Sequence, residues 1–360
     1  MTRPRILSVF MPLAALVLLS GVASGMDKEF YVSTYRQIGK TAGMGQRAAA
    51  MGHTGAGIAD GAASLAINPA GLGAFVGYAV EGGLGFNWLD DGVDDVTQTE
   101  FRVGGALSLE SWKPSGRCNQ AVGAQVDYKR FSGATDASMK HEQTGLTLGY
   151  GVHVMPDLVV GASAALYDTK FEASGGNLPF DRKSTGGEFK VGGIYRISDQ
   201  MTAGGVFGFS TGSYNEKASY AAGSGSGDLT RWNLQAGVGY QLCDETLLAG
   251  DFWYDNLKTE LKNNILNEKN KAWGLSMGIE QQVLPDTMVL RGGMYYDHTS
   301  YNAKGSVRMF TDGNDDHYGK GRVGFTAGAA LKLYSFDLGY SLDVSTKGDI
   351  KNLIDISAEW

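Results

Sequence analysis

Cysteine is nearly absent from this chain, with Cys118 and Cys243 the only two in 360 residues. Two thiols cannot build a disulfide framework or a four-thiolate zinc site. A bridge between them needs Cα atoms within about 7 Å. Both fall in predicted turns at one end of the molecule but on distant strands, so two separate turn thiols are expected. Proline is scarce as well, at seven, which leaves long stretches free to pair as strands. The five histidines are His53, His141, His153, His298 and His317; they are scattered without metal-ligand spacing. No metal and no cofactor is expected. Basic residues are outnumbered, giving a net charge of -7, which argues against nucleic acid as a partner. Beyond the N-terminal stretch, no apolar run approaches the ~20 residues of a membrane-spanning helix. If such a chain enters a membrane, it does so as strands.

The N-terminal stretch reads as an export signal. Arg3 and Arg5 form a positive region, and Val9–Leu19 an apolar one interrupted by Pro12. Gly21, Ala23, Ser24 and Gly25 are small enough for a peptidase, so a signal peptide over residues 1–25 is expected. No cysteine lies near the cleavage point to carry a lipid.

Glycine is abundant, at 53, and alternation in polarity is the theme from Val76 onward. In one segment Trp232, Leu234, Ala236, Val238 and Tyr240 share a face, and Asn233, Gln235, Gly237, Gly239 and Gln241 share the other. At about 3.3 Å per residue and a tilt near 40°, Trp232 and Tyr240 stand roughly 20 Å apart along a membrane normal, the spacing of two aromatic girdles. Similar apolar faces begin at Leu146, Phe189, Trp273 and Phe336. The pattern predicts strands over 76–89, 99–112, 120–131, 139–153, 158–171, 185–197, 201–214, 229–242, 246–259, 272–284, 287–300, 320–333, 335–345 and 350–360. This is an all-β architecture, a transmembrane antiparallel barrel of about fourteen strands. Tight turns such as Met155–Asp157 and Cys243–Glu245 alternate with long links such as Glu172–Ser184 and Asn215–Asp228, as periplasmic turns and outer loops do. The chain ends on an outward face of Ile354, Ile356, Ala358 and Trp360.

The stretch Gly43–Gly73 is different. It reads GMGQRAAAMGHTGAGIADGAASLAINPAGLG. Small residues without alternation cannot make a long strand, yet the stretch is too apolar for a solvated linker. Asp60 is placed to cap a short helical turn over Gly61–Ile67. Asn68–Pro69 breaks that turn, and Pro69 opens a new one through Leu72. Residues 26–75 are therefore expected to form a unit apart from the barrel of residues 76–360.

Those residues carry a resemblance. Gly43–Gly45, Ala59–Gly61, Ala63–Ser64 and Asn68–Leu72 resemble the N-terminal hatch of the FadL/TodX family of outer-membrane proteins, which includes a PorV-like group. The motif residues are Gly43, Gly45, Asp60, Asn68, Pro69 and Gly71. The resemblance implies a plug inside the lumen and a side opening in the wall. It also implies passage of hydrophobic small molecules, long-chain fatty acids or aromatic hydrocarbons, across the outer membrane of a Gram-negative-type bacterium. The alternative it leaves open is a PorV-like scaffold that docks secreted proteins or a secretion system. The terminal Trp360 resembles the signal read by barrel-assembly machinery.

The inward strand faces carry charges of both signs. Lumen-lining candidates are Arg102, Glu188, Arg196, Asp251, Arg291, Arg322 and Asp337, with Glu110 and Asp343 among others. Mutual neutralisation is expected, since mixed signs do not suit a simple ion pore. Arg47, Asp60 and Asn68 are the expected anchors of the plug, with Arg102, Arg196 or Asp337 as partners. His298 and Ser300 share one strand face, but no further motif surrounds them and no catalytic site is expected. Acidic knots around Asp90–Asp95 and Asp312–Asp316 lack the full calcium-loop pattern, which leaves calcium binding as the alternative to solvated loop charge bridged by divalent cations. They read as loop charge facing lipopolysaccharide and outer-membrane lipid.

Overall fold

The computed structural model describes residues 45–90, 95–109, 119–133, 137–175, 180–218, 223–261, 266–305 and 317–360. The signal peptide, Gly43, Glu110, Cys118 and most of both acidic knots lie outside them. Cys243, the other thiol, is free and exposed.

Fourteen strands form one closed antiparallel barrel. They are β1 (Tyr78–Asp90), β2 (Asp95–Ser108), β3 (Gln120–Gly133), β4 (Ala137–Met155), β5 (Leu158–Gly175), β6 (Phe180–Ser198) and β7 (Met201–Ala218), followed by β8 (Gly223–Cys243), β9 (Thr246–Leu261), β10 (Leu266–Leu284), β11 (Met288–Gly305), β12 (His317–Leu333), β13 (Phe336–Ser345) and β14 (Ile350–Glu359). Each strand pairs with its sequence neighbours, and β1 closes on β14 with Leu84 opposite Ile354. Closure leaves no sheet edge, so the backbone polar groups of the wall are satisfied within it, as lipid requires. Around Gly77, at φ +104°, the chain turns into β1; Tyr78 and Trp360 exchange backbone hydrogen bonds of 2.9 and 3.0 Å there.

The apolar faces point outward. Leu146, Leu148, Tyr150, Phe189, Tyr195, Trp232, Tyr240, Trp273, Phe336 and Ile356 are all solvent-exposed large side chains. On β1 the outward face runs from Tyr78 to Trp88. A soluble protein would bury such a band; here it is the lipid-facing surface of a transmembrane barrel.

The tight turns from β4 onward fall where the alternation puts them, β2 ends at Ser108 rather than 112, and most of the other strand ends are longer. β8 begins at Gly223 rather than 229, β6 at Phe180 rather than 185, and β7 runs to Ala218. The Gly-Ser-Gly-Ser-Gly run expected in a loop is therefore paired strand. Ladder bonds are made by backbone and need no apolar face, so the strands continue past the point where alternation in polarity stops.

The side opening implied by the resemblance is not present among the described residues. The ladders of β2, β3 and β4 run without interruption. Register shifts occur only beside tight turns, at His153/Met155, Arg196/Ser198, Gln241/Cys243 and Gln282/Leu284.

Candidate functional site

Residues 45–75 form helix α1 (Gln46–Ala50), a 3₁₀ turn (Ala62–Leu65) and helix α2 (Gly71–Ala74), and they lie against the inward face of the barrel. The segment follows the wall strand by strand. Gln46 lies against Gly339 of β13 and Gly328 of β12. Met51 and Gly52 lie against Gly278 of β10 and Gly293 of β11. Ala56 covers Gly204 of β7, Asn68 covers Gly192 of β6, Pro69 covers Gly161 of β5, and Gly73 covers Gly151 of β4. A methyl group on any of these wall glycines would overlap the segment, mostly its backbone. Small residues on both surfaces are what permit this approach. Where the segment meets β1–β3, Leu65, Leu72 and Phe75 form an apolar seat with Ala79, Ala106 and Ala121.

Polar anchors fix the path. The Gln46 amide donates to the Tyr340 carbonyl (2.9 Å) and accepts from Arg291 (2.6 Å). Arg47 grips Glu280 through Nε and Nη2 at 2.9 and 2.8 Å, and Arg291 reaches the same carboxylate at 2.7 Å. Thr326 receives the Gly52 amide and donates to the Ala50 carbonyl, each at 2.8 Å. Asp251 accepts the amides of Gly55 and Ala56, both at 2.8 Å. Lys190 donates to the Ala66 carbonyl (2.9 Å) and Thr202 to the Gly57 carbonyl (2.8 Å). His53 Nε2 stands 3.0 Å from Asp343, which also receives Tyr295 and Lys351.

The motif residues divide between buried and exposed positions. Asn68 is fully buried; its amide donates to the carbonyls of Ala56 and Gly193, and its oxygen accepts the Ala70 amide. Pro69 opens the turn that leads into α2, its carbonyl accepting from Leu72. A Cβ on Gly71 would strike the Ala59 backbone, and one on Gly45 would strike Ala63. Asp60 is not a cap. Gly61, at φ +58°, holds the N-cap position, and no side chain caps the 3₁₀ turn. The Gly61 carbonyl is taken by Ser64 Oγ at 2.6 Å. Asp60 is two-thirds exposed and pairs with Arg47 instead.

The lumen candidates separate by height. Arg102 is buried and paired with Glu81 and Asp355, and Arg322 is paired with Asp297 and Asp349. Glu188 is buried beside Lys190 at 3.2 Å. Asp251 and Arg291 face the segment as described. Arg196 and Asp337 do not reach it. Arg196 is half exposed and pairs with Asp157 in the β4–β5 turn, while Asp337 lies opposite Lys332 near the β12–β13 turn. Gln46, Glu280, Thr202 and Thr326 were the anchors that sequence reasoning missed. The wall residues among them sit at inward positions of their strands, and Glu280 directly opposes Arg291. That register was the available signal.

A second set of side chains crosses part of the lumen toward the long-loop end. Arg182 of β6 and Glu268 of β10 are not wall neighbours, yet they pair at 3.1 Å with side chains only 3% and 1% exposed. The contact reaches past three intervening strands. Glu268 also accepts from Thr259 and Tyr301, both at 2.9 Å. The Arg182 guanidinium lies 4.8 Å from the Tyr214 ring centre. Phe131, His141 and Phe171 pack together alongside, with His141 fully buried. The layer is one-sided: His53, Arg322 and Lys351 on the β11–β14 side keep 21%, 26% and 26% exposure.

His298 and Ser300 face outward on β11, with His298 against Trp273. Among the described residues no group of three or more acidic, histidine or cysteine side chains is arranged to hold a metal ion.

No protein-family model matches the sequence, and no curated protein matches it. Solved structures share its fold. The Pseudomonas putida toluene transporter TodX superposes with a TM-score of 0.60 at 14% identity, covering 90% of this chain and 100% of that one. The Ralstonia pickettii toluene transporter TbuX gives 0.59 at 15% identity, with 88% and 98% covered. A Pseudomonas aeruginosa FadL homologue gives 0.63 at 12% identity, with 89% and 99% covered. The barrel therefore has the FadL/TodX fold that the Gly43–Leu72 motif resembles.

Proposed function

We propose that this chain is an outer-membrane passage for hydrophobic small molecules, with residues 45–75 as its hatch. The observation that carries the reading is a glycine-rich segment seated along the inner wall of a barrel whose fold is that of toluene transporters and a FadL homologue. An apolar solute crossing a polar lipopolysaccharide layer gains from an apolar site. Phe131 and Phe171, buried against His141, supply apolar surface in the outer half of the lumen. Neighbouring proteins of this fold carry aromatic hydrocarbons by name, and long-chain fatty acids are the other candidate class. No catalytic step belongs to this reading.

One observation favours a second reading, a PorV-like scaffold that docks a secreted protein or secretion apparatus. The described wall has no side opening through which an apolar ligand would leave into lipid. Uptake separates the two. Cells lacking their own uptake protein and expressing this chain should accumulate labelled toluene or palmitate above vector controls. Normal outer-membrane levels with no uptake of either probe would overturn the transport reading.

We also assign Trp360 to recognition by barrel-assembly machinery. It is 61% exposed on the outward face, with its ring edge-on to Phe336 at 6.4 Å. Deleting it should lower the outer-membrane level of the protein more than deleting one residue of an outer loop.

A further inference from the structure

Above the apolar band, the outward faces of β3–β7 carry charges that mostly meet opposite charges. Arg130 opposes Glu142, Glu142 opposes Lys170, Lys140 opposes Glu172, and Asp181 opposes Lys217. Between β5 and β6 like charges do face each other: Lys170 faces Lys183, with Glu172 holding Lys170 at 2.5 Å, and Glu172 faces Asp181. The opposite-charge pairs neutralise one another across the sheet.

On β9–β10 a facing lysine pair recurs, and here a third lysine joins it. Lys258 and Lys269 stand directly opposite each other, and Lys271 follows on the same face one step nearer the membrane. All three are exposed. Their other outward neighbours in register are Thr230, Asn256, Ser300 and Asn302, which are polar but carry no charge. Among the described residues the acids on this face are Glu260, which pairs with Lys258, and Asp228, which opposes Glu260; both lie on the side away from the membrane. Like charges directly opposite are unfavourable in a sheet unless an anion lies between them.

The patch also sits at a particular height. Trp273 is the next outward residue below Lys271, with Tyr254 and His298 opposite it. Its ring centre is 5.4 Å from that of Tyr296, and Trp232 stacks on Tyr254 at 4.9 Å. This is an aromatic girdle, which lies at headgroup level. Lysine ammonium groups on long stems just above it reach the phosphate layer. Below the girdle, Leu275, Met277 and Phe252 offer exposed apolar surface for acyl chains.

We propose that Lys258, Lys269 and Lys271 bind the phosphate of an outer-leaflet lipid whose acyl chains lie along β9 and β10. A phosphate monoester brings up to two negative charges and several acceptor oxygens to three ammonium groups. The site is independent of what passes through the lumen. It rests only on the long-loop end facing outward.

Purified full-length protein in detergent tests this by native mass spectrometry, with bisphosphorylated lipid A as the probe. Lys269→Gln/Lys271→Gln should weaken binding at least about tenfold. The control pair Lys140→Gln/Lys183→Gln removes the same charge elsewhere on the rim and should leave binding within about twofold. Lipid A stripped of phosphate should bind weakly to every form. Equal loss in both double variants, or equal binding of the stripped lipid, would overturn the site. Displacement of lipid by equimolar inorganic phosphate would also overturn it, as the mark of a simple anion patch. The substituted side chains are solvent-exposed, so a preserved heat-dependent gel shift verifies that each variant is folded. Orientation is read separately. Lys269→Cys, in a chain with Cys118 and Cys243 changed to Ser, should react with an impermeant maleimide on intact cells. Lipid binding without that labelling would overturn the outer-leaflet assignment.

Discussion

In the inner half of the lumen, backbone packs on backbone; in the outer half, long side chains cross the interior to meet each other. The inner contact needs glycine on both surfaces, as where Gly52 meets Gly293. The outer contact is made by Arg182, Glu268, Tyr214 and Tyr301. The two differ in how they can open. A side-chain layer rearranges by rotamer changes within a fixed wall. A backbone seated on glycines has no such small motion available and must move as a unit or stay. They also differ in coverage. The segment follows the wall from β13 to β3, whereas the outer layer leaves His53 partly exposed beside Arg322 and Lys351. The inner segment thus meets the wall along most of its course, and the outer layer meets only one side of the lumen.

The strongest way to break that comparison is to delete residues 45–75. The wall keeps its own ladder and its lipid-facing band, so the barrel should still form and still shift on a detergent gel when heated. Planar-bilayer recordings should change from nearly closed to steadily conducting, although the outer layer remains. An unchanged closed state would mean that the outer layer seals the lumen alone.

Glu268→Ala asks the converse question. It leaves Arg182 buried without its carboxylate, a change of about 3–5 kcal/mol for a buried pair. The temperature of the gel shift should fall, while conductance stays close to that of the intact protein. A rise in conductance matching the deletion would transfer the sealing role to the outer layer.

Gly293→Val tests the backbone contact. Its side chain would occupy the place of the Met51–Gly52 peptide, an overpacking of about 1–3 kcal/mol. The segment should give way before the ladder does. Limited proteolysis should then cut within residues 45–75 while the barrel remains heat-modifiable. Protection equal to that of the intact protein would show that the wall, not the segment, adjusts.

The same division governs what could be read from sequence. The wall was legible because lipid enforces a two-residue alternation, visible in Trp232–Tyr240 and repeated to the terminal strand. That signal reports the membrane-facing part of a strand and nothing more. It stops at 229 in β8, while backbone pairing runs on to Gly223. The segment stands apart in the sequence by its small residues, and Asn68–Pro69 by the chemistry of the break. Its anchors were not, because they depend on which strand stands opposite which residue of a segment without periodicity. Gln46 meeting Arg291 and Tyr340, or Gly52 meeting Thr326, follows from barrel closure and from no local pattern. Asp60 was misplaced for a related reason: a carboxylate before a short helix is a good cap only if the next residue does not take that position itself.

Asp60 and Glu280 give the finest test, since both carboxylates bind Arg47. Asp60 is 66% exposed, and Glu280 is 17% exposed and shared with Arg291. An exposed ion pair contributes about 0–1 kcal/mol, because water screens it and two side chains must be ordered to make it. Asp60→Ala should therefore leave conductance and protease resistance close to those of the intact protein. Arg47 keeps its two-nitrogen grip on Glu280. Glu280→Ala removes the carboxylate that Arg47 and Arg291 share, leaving Arg47 with exposed Asp60 and Arg291 with Gln46. Brief openings should appear in bilayer recordings of that variant, with new cleavage near Gln46–Ala50. If Asp60→Ala flickers as much as Glu280→Ala, the exposed pair holds the segment, and the buried grip of Glu280 is not the anchor that its geometry suggests.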